Sequence, residues 1–209
     1  MKDNIIMDLD THFARDAIES QYESSVQYKN FFSDDDIDYI WKYAFRNGKA
    51  RTNVWNKTIF INNDYKDIIS RYKDRINNVL PNPKIQYGGN FFITAVEYGY
   101  HTDSYHKSKE NNYGKCIPWR NILIPLWSDG DGGKITFYKN RYPTWSVSGT
   151  KGAKGAHINI KDLEIENEYT WDPKSVFVFD SCQLHNSENT NNGFSIKMGL
   201  LIKFVKEVI

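Results

Sequence analysis

The chain has 209 residues with 27 Lys and Arg against 26 Asp and Glu, and this balance gives no basic surface for binding duplex nucleic acid. Two cysteines are too few for a disulfide scaffold, and no apolar run reaches the ~20 residues that span a membrane. We therefore predict a single domain, residues 1–209, in the cytoplasm of a bacterium or of a phage-infected host cell, since its richness in Asn, Lys, Ile and Tyr is typical of AT-rich genomes.

The N-terminal part, residues 1–83, is predicted to be mainly helical. Its first 30 residues are polar, with an edge strand expected around Ser25–Tyr28. A helix is predicted over residues 31–45, because Ser33 is a good N-cap, three Asp residues follow it, and apolar residues recur at helical spacing. A second helix is predicted over about Tyr65–Leu80, where it stops before a Pro-Asn-Pro sequence.

The C-terminal part, residues 84–209, changes from helical periodicity to strand patterns. Runs rich in β-branched and aromatic residues are separated by Gly, Asn and Asp clusters. The predicted strands are Lys84–Tyr87, Asn90–Tyr98, Arg120–Trp127, Lys134–Tyr138, His157–Ile160, Ser175–Asp180 and Phe194–Val205. Helices followed by strands describe an α+β chain whose C-terminal two-thirds forms a sandwich or jelly roll.

Three connecting segments stand out in this region. Residues 121–138 predict a β-hairpin around an acidic Gly-rich turn, because Asp-Gly-Gly is good turn chemistry. Two stretches without a strand pattern, Ser104–Lys115 and Asn140–Ala156, are predicted to be lids or binding loops.

The most informative residues are His101 and Asp103 on a strand-like run and His185, which is predicted to lie where an apolar strand enters a polar loop. His101 and Asp103 would point to the same face if the strand continued, because side chains alternate along a strand. Two imidazoles and one carboxylate leave adjacent coordination positions open on Fe(II), which indicates oxidation rather than hydrolysis. The alternative is that these are ordinary loop histidines, because a His-x-Asp spacing also occurs by chance.

Lys197 favours the metal interpretation because it interrupts an otherwise apolar strand. Ser195, Lys197 and Gly199 share one face of that strand. A lysine inside the sandwich is costly without an anionic partner. The distal carboxylate of 2-oxoglutarate is a suitable partner, with a hydrogen bond from Ser195. The alternative is an edge strand whose polar face is solvated.

Together these residues resemble the 2-oxoglutarate/Fe(II)-dependent dioxygenases, particularly the branch that includes prolyl 4-hydroxylases and phytanoyl-CoA hydroxylase-like proteins. The helix opening at residues 31–37 resembles that family's N-terminal helix, and residues 131–137 resemble its Gly-Gly-x-Thr-x-Phe segment. The two histidines, the aspartate and the lysine follow the family's order. The resemblance covers roughly residues 28–205.

The resemblance implies a double-stranded β-helix (jelly-roll, cupin-like) core with the N-terminal helices packed on one sheet. It implies Fe(II) held by His101, Asp103 and His185, with 2-oxoglutarate and O2 as co-substrates and Lys197 pairing with the distal carboxylate. Asn121 and Thr136 are further candidates for contacts with 2-oxoglutarate. The tyrosine that often precedes the His-x-Asp strand in prolyl hydroxylases has no counterpart here, and Phe92 lies nearest its place.

The implied activity is hydroxylation of a C–H bond, with a peptidyl or free amino acid favoured as substrate and with succinate and CO2 released. The small-molecule or peptide substrate, the oligomeric state and the roles of His106, His157 and Cys182 are left open. One alternative is a non-catalytic β-sandwich binding module of viral or bacterial origin. Another is a cupin-type Zn(II) or Mn(II) enzyme without a keto acid, which would not need a lysine inside the barrel.

Overall fold

The structure, a computed structural model, describes residues 23–47, 52–55, 58–63, 65–80, 85–95, 98–103, 116–130, 133–141, 160–188 and 196–207. The helices are α1 (Asp34–Asn47), α2 (Lys66–Arg71) and α3 (Lys73–Val79), with a 3-10 turn at Ile160–Asp162. The strands are β1 (Val26–Tyr28), β2 (Thr52–Trp55), β3 (Thr58–Asn63), β4 (Ile85–Thr94), β5 (Tyr98–His101), β6 (Cys116–Ser128), β7 (Lys134–Arg141), β8 (Ile165–Thr170), β9 (Val176–Asp180), β10 (Gln183–Ser187) and β11 (Lys197–Glu207). Among these residues no helix is long and apolar enough to cross a membrane.

Two antiparallel sheets face each other. The large sheet has seven strands in the order β1-β9-β6-β11-β4-β3-β2, and the small sheet has four in the order β5-β10-β7-β8. Strands far apart in sequence become neighbours in this order, as a jelly roll requires. The predicted α+β fold class and jelly-roll core are confirmed, and so is the edge strand near residue 26.

Helix α1 begins at a reciprocal capping box. The N–H of Ser33 donates to the Asp36 carboxylate at 3.0 Å, and the N–H of Asp36 donates to the Ser33 hydroxyl at 3.2 Å. The helix then buries Ile40 and Ala44 completely against the large sheet. This predicted helix is therefore present, and its start follows from local chemistry.

The large sheet separates two cores because successive side chains of a strand point to opposite faces. On its helix-side face lies the larger core, which includes Ile40, Phe91, Ile122 and Leu200. On its inner face, which looks toward the small sheet, a smaller set of buried apolar residues packs together: Leu123, Ile135, Phe137, Trp171, Phe177 and Phe179. The inner face also holds the polar residues described below.

Three local predictions are wrong. Residues 121–138 do not form a hairpin, because β6 lies in the large sheet and β7 in the small one, so the turn between them carries the chain across the sandwich. The sequence around His185 is the buried strand β10 rather than a polar loop. The second helix is divided at Tyr72, whose backbone leaves the helical region at φ −106° and ψ 18°.

Other differences are additions. Strands β2, β3 and β8 are not among the predicted strands. Of these, β2 and β3 lie within residues 1–83, the part predicted to be mainly helical. The two predicted strands at residues 84–98 are instead the long β4 and the short β5. The predicted strand at 157–160 lies outside the described residues except for Ile160, which starts a 3-10 turn. The loops at 104–115 and 142–156 lie outside them too.

Candidate metal centre

His101, Asp103 and His185 converge although 82 residues separate the last two. Strand pairing brings them together, because His101 on β5 stands directly opposite His185 on β10. The imidazole centroids are 4.2 Å apart, and His185 Nε2 lies 3.8 Å from Asp103 Oδ2. One ligand atom from each residue lies within 4.8 Å of the others, which suits a single metal ion. Asp103 reaches the group although β5 ends at His101.

Backbone carbonyls orient both imidazoles for metal binding. Nδ1 of His101 lies 2.7 Å from the Gly99 carbonyl, and Nδ1 of His185 lies 2.9 Å from the Gln183 carbonyl. A carbonyl oxygen only accepts, so each Nδ1 carries the proton and each Nε2 keeps its lone pair. This is the arrangement that orients metal-binding histidines in proteins.

The protonation states of the three side chains also suit a metal ion. Burial, followed by the charge of His185, lowers the pKa of His101 to about 4, and burial likewise lowers the pKa of His185. Burial alone would raise the pKa of Asp103, but Lys203 and the two imidazoles hold it below its usual value. Near neutral pH the set is therefore two neutral imidazoles and one carboxylate, the forms that coordinate metals.

Asp103 is held by groups from three directions. Its N–H donates to the Ser181 carbonyl at 3.0 Å, which ties it to the turn between β9 and β10. Asn121 Nδ2 donates to Asp103 Oδ2 at 2.9 Å, and Lys203 Nζ donates to the Asp103 backbone carbonyl at 2.8 Å. The aspartate is therefore positioned without belonging to a strand.

A buried ion-pair cluster supports the turn that contacts Asp103. Asp180, the last residue of β9, is fully buried and accepts from Arg120 Nη1 at 2.5 Å and from Arg141 Nε at 3.3 Å. Burial is the main cause of its raised pKa, which the two guanidiniums oppose. Both arginines therefore serve the scaffold directly behind the metal ligands.

Lys197 lies on the inner face, as its strand position predicts. Its side chain is only 1% exposed, its Nζ donates to the Glu188 carbonyl at 2.6 Å, and the Trp171 ring centroid is 5.8 Å away. Gly133 makes room beside it: its φ is +72°, and a Cβ there would approach Lys197 Nζ to 3.1 Å and strike the Glu188 carbonyl. Gly133 therefore packs against the buried lysine.

The remaining sequence candidates are placed differently. Thr136 pairs with Asn186, whereas its neighbour Phe137 pairs with His185, so Thr136 points to the opposite face of the small sheet. Asn121 is brought to the metal ligands, at Asp103. Ser195, like His106 and His157, lies outside the described residues. Cys182 is buried in the turn next to the site and forms no disulfide among the described residues.

Sequence reasoning missed Lys203. It lies six positions after Lys197 on β11, so alternation places both lysines on the inner face. Its Nζ is 3.8 Å from Asp103 Oδ1, and its side chain is 21% exposed. The sequence pattern could have identified Lys203, because it lies an even number of positions after Lys197 in the same apolar strand and therefore shares its face.

Comparison with solved structures finds the same fold over most of the chain. The non-heme alpha ketoglutarate dependent epimerase SnoN from nogalamycin biosynthesis aligns with a TM-score of 0.61 and 9% identity, over 94% of this chain and 82% of that one. A prolyl-4-hydroxylase from Pseudomonas putida aligns at 0.53 and 12% identity, over 94% and 98%. HygX from Streptomyces hygroscopicus, with nickel and 2-oxoglutarate bound, aligns at 0.53 and 10% identity, over 95% and 87%. No protein-family model and no curated protein matches the sequence.

Proposed function

Because the chain has the double-stranded β-helix fold seen in 2-oxoglutarate/Fe(II)-dependent oxygenases, we propose that it is such an enzyme and hydroxylates a substrate C–H bond. The observation that carries the proposal is the convergence of His101, Asp103 and His185 on one point, with the buried Lys197 on the same inner surface. Fold likeness alone would not distinguish an enzyme from a binding module, because one fold serves many functions.

The donor set fits Fe(II). Two imidazole nitrogens and one carboxylate oxygen are the donors that non-heme Fe(II) oxygenases use, and three protein donors would leave the ion able to bind a co-substrate and O2. When bound, iron and 2-oxoglutarate supply the oxidising chemistry, in which one oxygen atom enters the C–H bond while the keto acid becomes succinate and CO2. His101, Asp103 and His185 hold the ion, and Asn121 and the backbone carbonyls hold these ligands in place.

Lys197 fits the distal carboxylate of 2-oxoglutarate. Its Nζ is tied to the carbonyl of Glu188, three residues along the chain from His185, or ~10 Å of extended backbone. A five-carbon dicarboxylate that bound the metal at one end would be long enough to reach Lys197 with the other. A buried cation gains most from an anionic partner.

The surroundings of His185 would keep water away from the reacting atoms. The ring centroids of Phe179 and Phe137 lie 5.0 and 5.5 Å from that of His185. Both phenylalanines are completely buried. A dry wall on this side orients a substrate C–H bond toward the open side of the metal and limits side reactions with water.

We propose a small molecule or peptide as substrate, with a peptidyl or free amino acid favoured, and a cytoplasmic location. The likeness in fold to a prolyl-4-hydroxylase supports the amino-acid class, and a content of two cysteines in 209 residues is typical of proteins in a reducing compartment. We expect no membrane or nucleic-acid partner, because acidic and basic residues nearly balance along the chain.

The proposal is tested by adding Fe(II) and 2-oxoglutarate anaerobically and recording the metal-to-ligand absorption band, then measuring succinate after O2 is admitted. Wild type should show both signals, and His101→Ala should lose both. Thr136→Val is the matched control, because Thr136 points away from the site and should keep both. A wild-type protein that binds Fe(II) but gives neither signal would refute the oxygenase, and one that binds no Fe(II) would favour the binding module.

A further inference from the structure

The two lysines on the inner face of β11 have different surroundings. Lys197 is at the closed end, buried beneath Trp171 and Gly133, whereas Lys203 lies six positions along the strand, ~20 Å away, and is 21% exposed. A single molecule of 2-oxoglutarate bound to Lys197 therefore leaves Lys203 on the far side of the metal ligands. Lys203 is thus the solvent-accessible one of the two lysines.

Lys203 has unused hydrogen-bonding capacity. Among the described residues its Nζ makes one hydrogen bond, to the backbone carbonyl of Asp103, and its one ion pair is the 3.8 Å approach to Asp103 Oδ1. An ammonium group has three donors. If Asp103 held a metal ion, its negative charge would be shared with the metal, and Lys203 would then gain from a second anion.

Asn121 supplies a complementary acceptor at the same place. It pairs with Lys203 across β6 and β11, so both side chains leave the large sheet on its inner face. Its Nδ2 donates to Asp103, while its Oδ1 is buried and accepts no hydrogen bond from the described residues. A buried acceptor without a donor is destabilising, and a ligand that brings an N–H would satisfy it.

We propose that Lys203 and Asn121 form the anchor for a free α-amino acid substrate, with Lys203 binding its carboxylate and Asn121 Oδ1 accepting from its ammonium group. This rests on the proposed function and selects the free amino acid over a residue inside a peptide. A peptide-bonded residue has no free α-carboxylate to offer Lys203. An amino acid presents an anion and a donor side by side, which matches a cation and an acceptor that flank one aspartate.

The carboxylate that binds Lys203 could instead belong to 2-oxoglutarate, which has a carboxylate next to its keto group. That carboxylate would also lie near the metal and could meet Lys203. The two sources are separable, because loss of a co-substrate contact weakens 2-oxoglutarate binding, whereas loss of a substrate contact does not.

The test uses full-length protein with Fe(II) and 2-oxoglutarate under anaerobic conditions. The absorption band of the complex is titrated with the twenty common L-amino acids and with their carboxamides, which keep the ammonium group but lack the carboxylate. The band of the wild type should be perturbed by at least one free acid and not by its amide. In Lys203→Met the half-saturating concentration of that acid should rise at least ~10-fold, while that of 2-oxoglutarate changes less than ~3-fold.

Lys203→Arg should recover part of the acid binding, and Lys139→Met, a surface lysine paired with Glu164, is the control that should match wild type. If the band forms but no free acid perturbs it, or the amides perturb it equally, the amino-acid anchor is refuted while the oxygenase proposal stands. If Lys203→Met weakens 2-oxoglutarate or metal binding instead, Lys203 serves the co-substrate or Asp103. If no band forms in the wild type, the proposed function itself fails.

Discussion

The two faces of the large sheet contrast sharply although they belong to the same strands. Leu200 and Leu201 are neighbours in sequence, yet the first packs in the helix-side core and the second contributes to the inner one. The helix-side face is apolar and covered by helices. The inner face holds a buried lysine and an asparagine whose Oδ1 accepts no hydrogen bond from the described residues, and it looks onto His185, a candidate metal ligand of the facing sheet.

The difference shows where stability and function are separated in this fold. Polar groups on the inner face are poor contributors to stability in the absence of ligands, because each must be desolvated. The apolar helix-side core offsets that loss. Substitutions on the two faces should therefore affect different measurements: metal and co-substrate binding for the inner face, and the free energy of unfolding for the helix-side face.

The largest effect is expected for His185→Ala on the inner surface. Losing one of three ligands should weaken metal binding more than ~100-fold, since loss of an outer partner of a ligand alone lowers affinity 10- to 100-fold. Isothermal titration with Co(II) measures it. Asn186→Ala, the next residue on the opposite face of β10, is the control and should bind metal like wild type. Equal loss in both variants would mean that the effect is structural.

On the helix-side face, Leu200→Ala should lower the free energy of unfolding by about 2–5 kcal/mol, because it leaves a cavity at a completely buried position. Urea denaturation of the metal-free protein measures this change. Metal affinity of the fraction that remains folded should be unaltered. A variant that stays stable but loses metal binding would show that the two faces are coupled.

Lys197→Met on the inner face should weaken the binding of 2-oxoglutarate but leave the stability of the protein nearly unchanged. The concentration of 2-oxoglutarate required for half-maximal succinate formation should rise ~10- to 100-fold, because a charged contact to the distal carboxylate is lost. The midpoint of urea denaturation should change little, since methionine has a similar length and needs no desolvation. A large drop in stability with unchanged 2-oxoglutarate dependence would make Lys197 a structural residue.

The smallest effect is expected at the start of α1, far from the inner face. Ser33→Ala removes one half of the capping box and should lower the free energy of unfolding by about 1 kcal/mol without changing metal affinity. Burial would raise the pKa of Asp36, but the Ser33 N–H and Arg75 lower it from 3.8 to about 2.

Because this folded-state pKa is below the ordinary one, the stabilisation by Asp36 is complete above pH ~4 and declines as the pH falls toward 2. Asp36→Asn should therefore show a shallower loss of stability over this acidic range than wild type. Thermal denaturation at several pH values compares the two. Parallel curves would show that the Asp36 carboxylate has no part in the acid dependence.

Several parts of the site were predictable because they depend on local patterns. Side-chain alternation along its apolar strand predicted that Lys197 is buried on the inner face, and the structure places it there. The same alternation also places Lys203 on the inner face. The strand that holds His185 was not predicted, because its polar residues are typical of a loop and become buried only when β5 and β7 pair on either side.

Elements with strong local signals could be predicted from the sequence: the capped start of α1, the alternating strands and the residue types of the triad. The assignment of β6 and β7 to different sheets and the pairing of His101 with His185 became visible only in the folded chain. The physical reason is that helix caps and side-chain alternation arise within a few residues. Strand pairing and register depend instead on which distant segments bury each other's apolar faces.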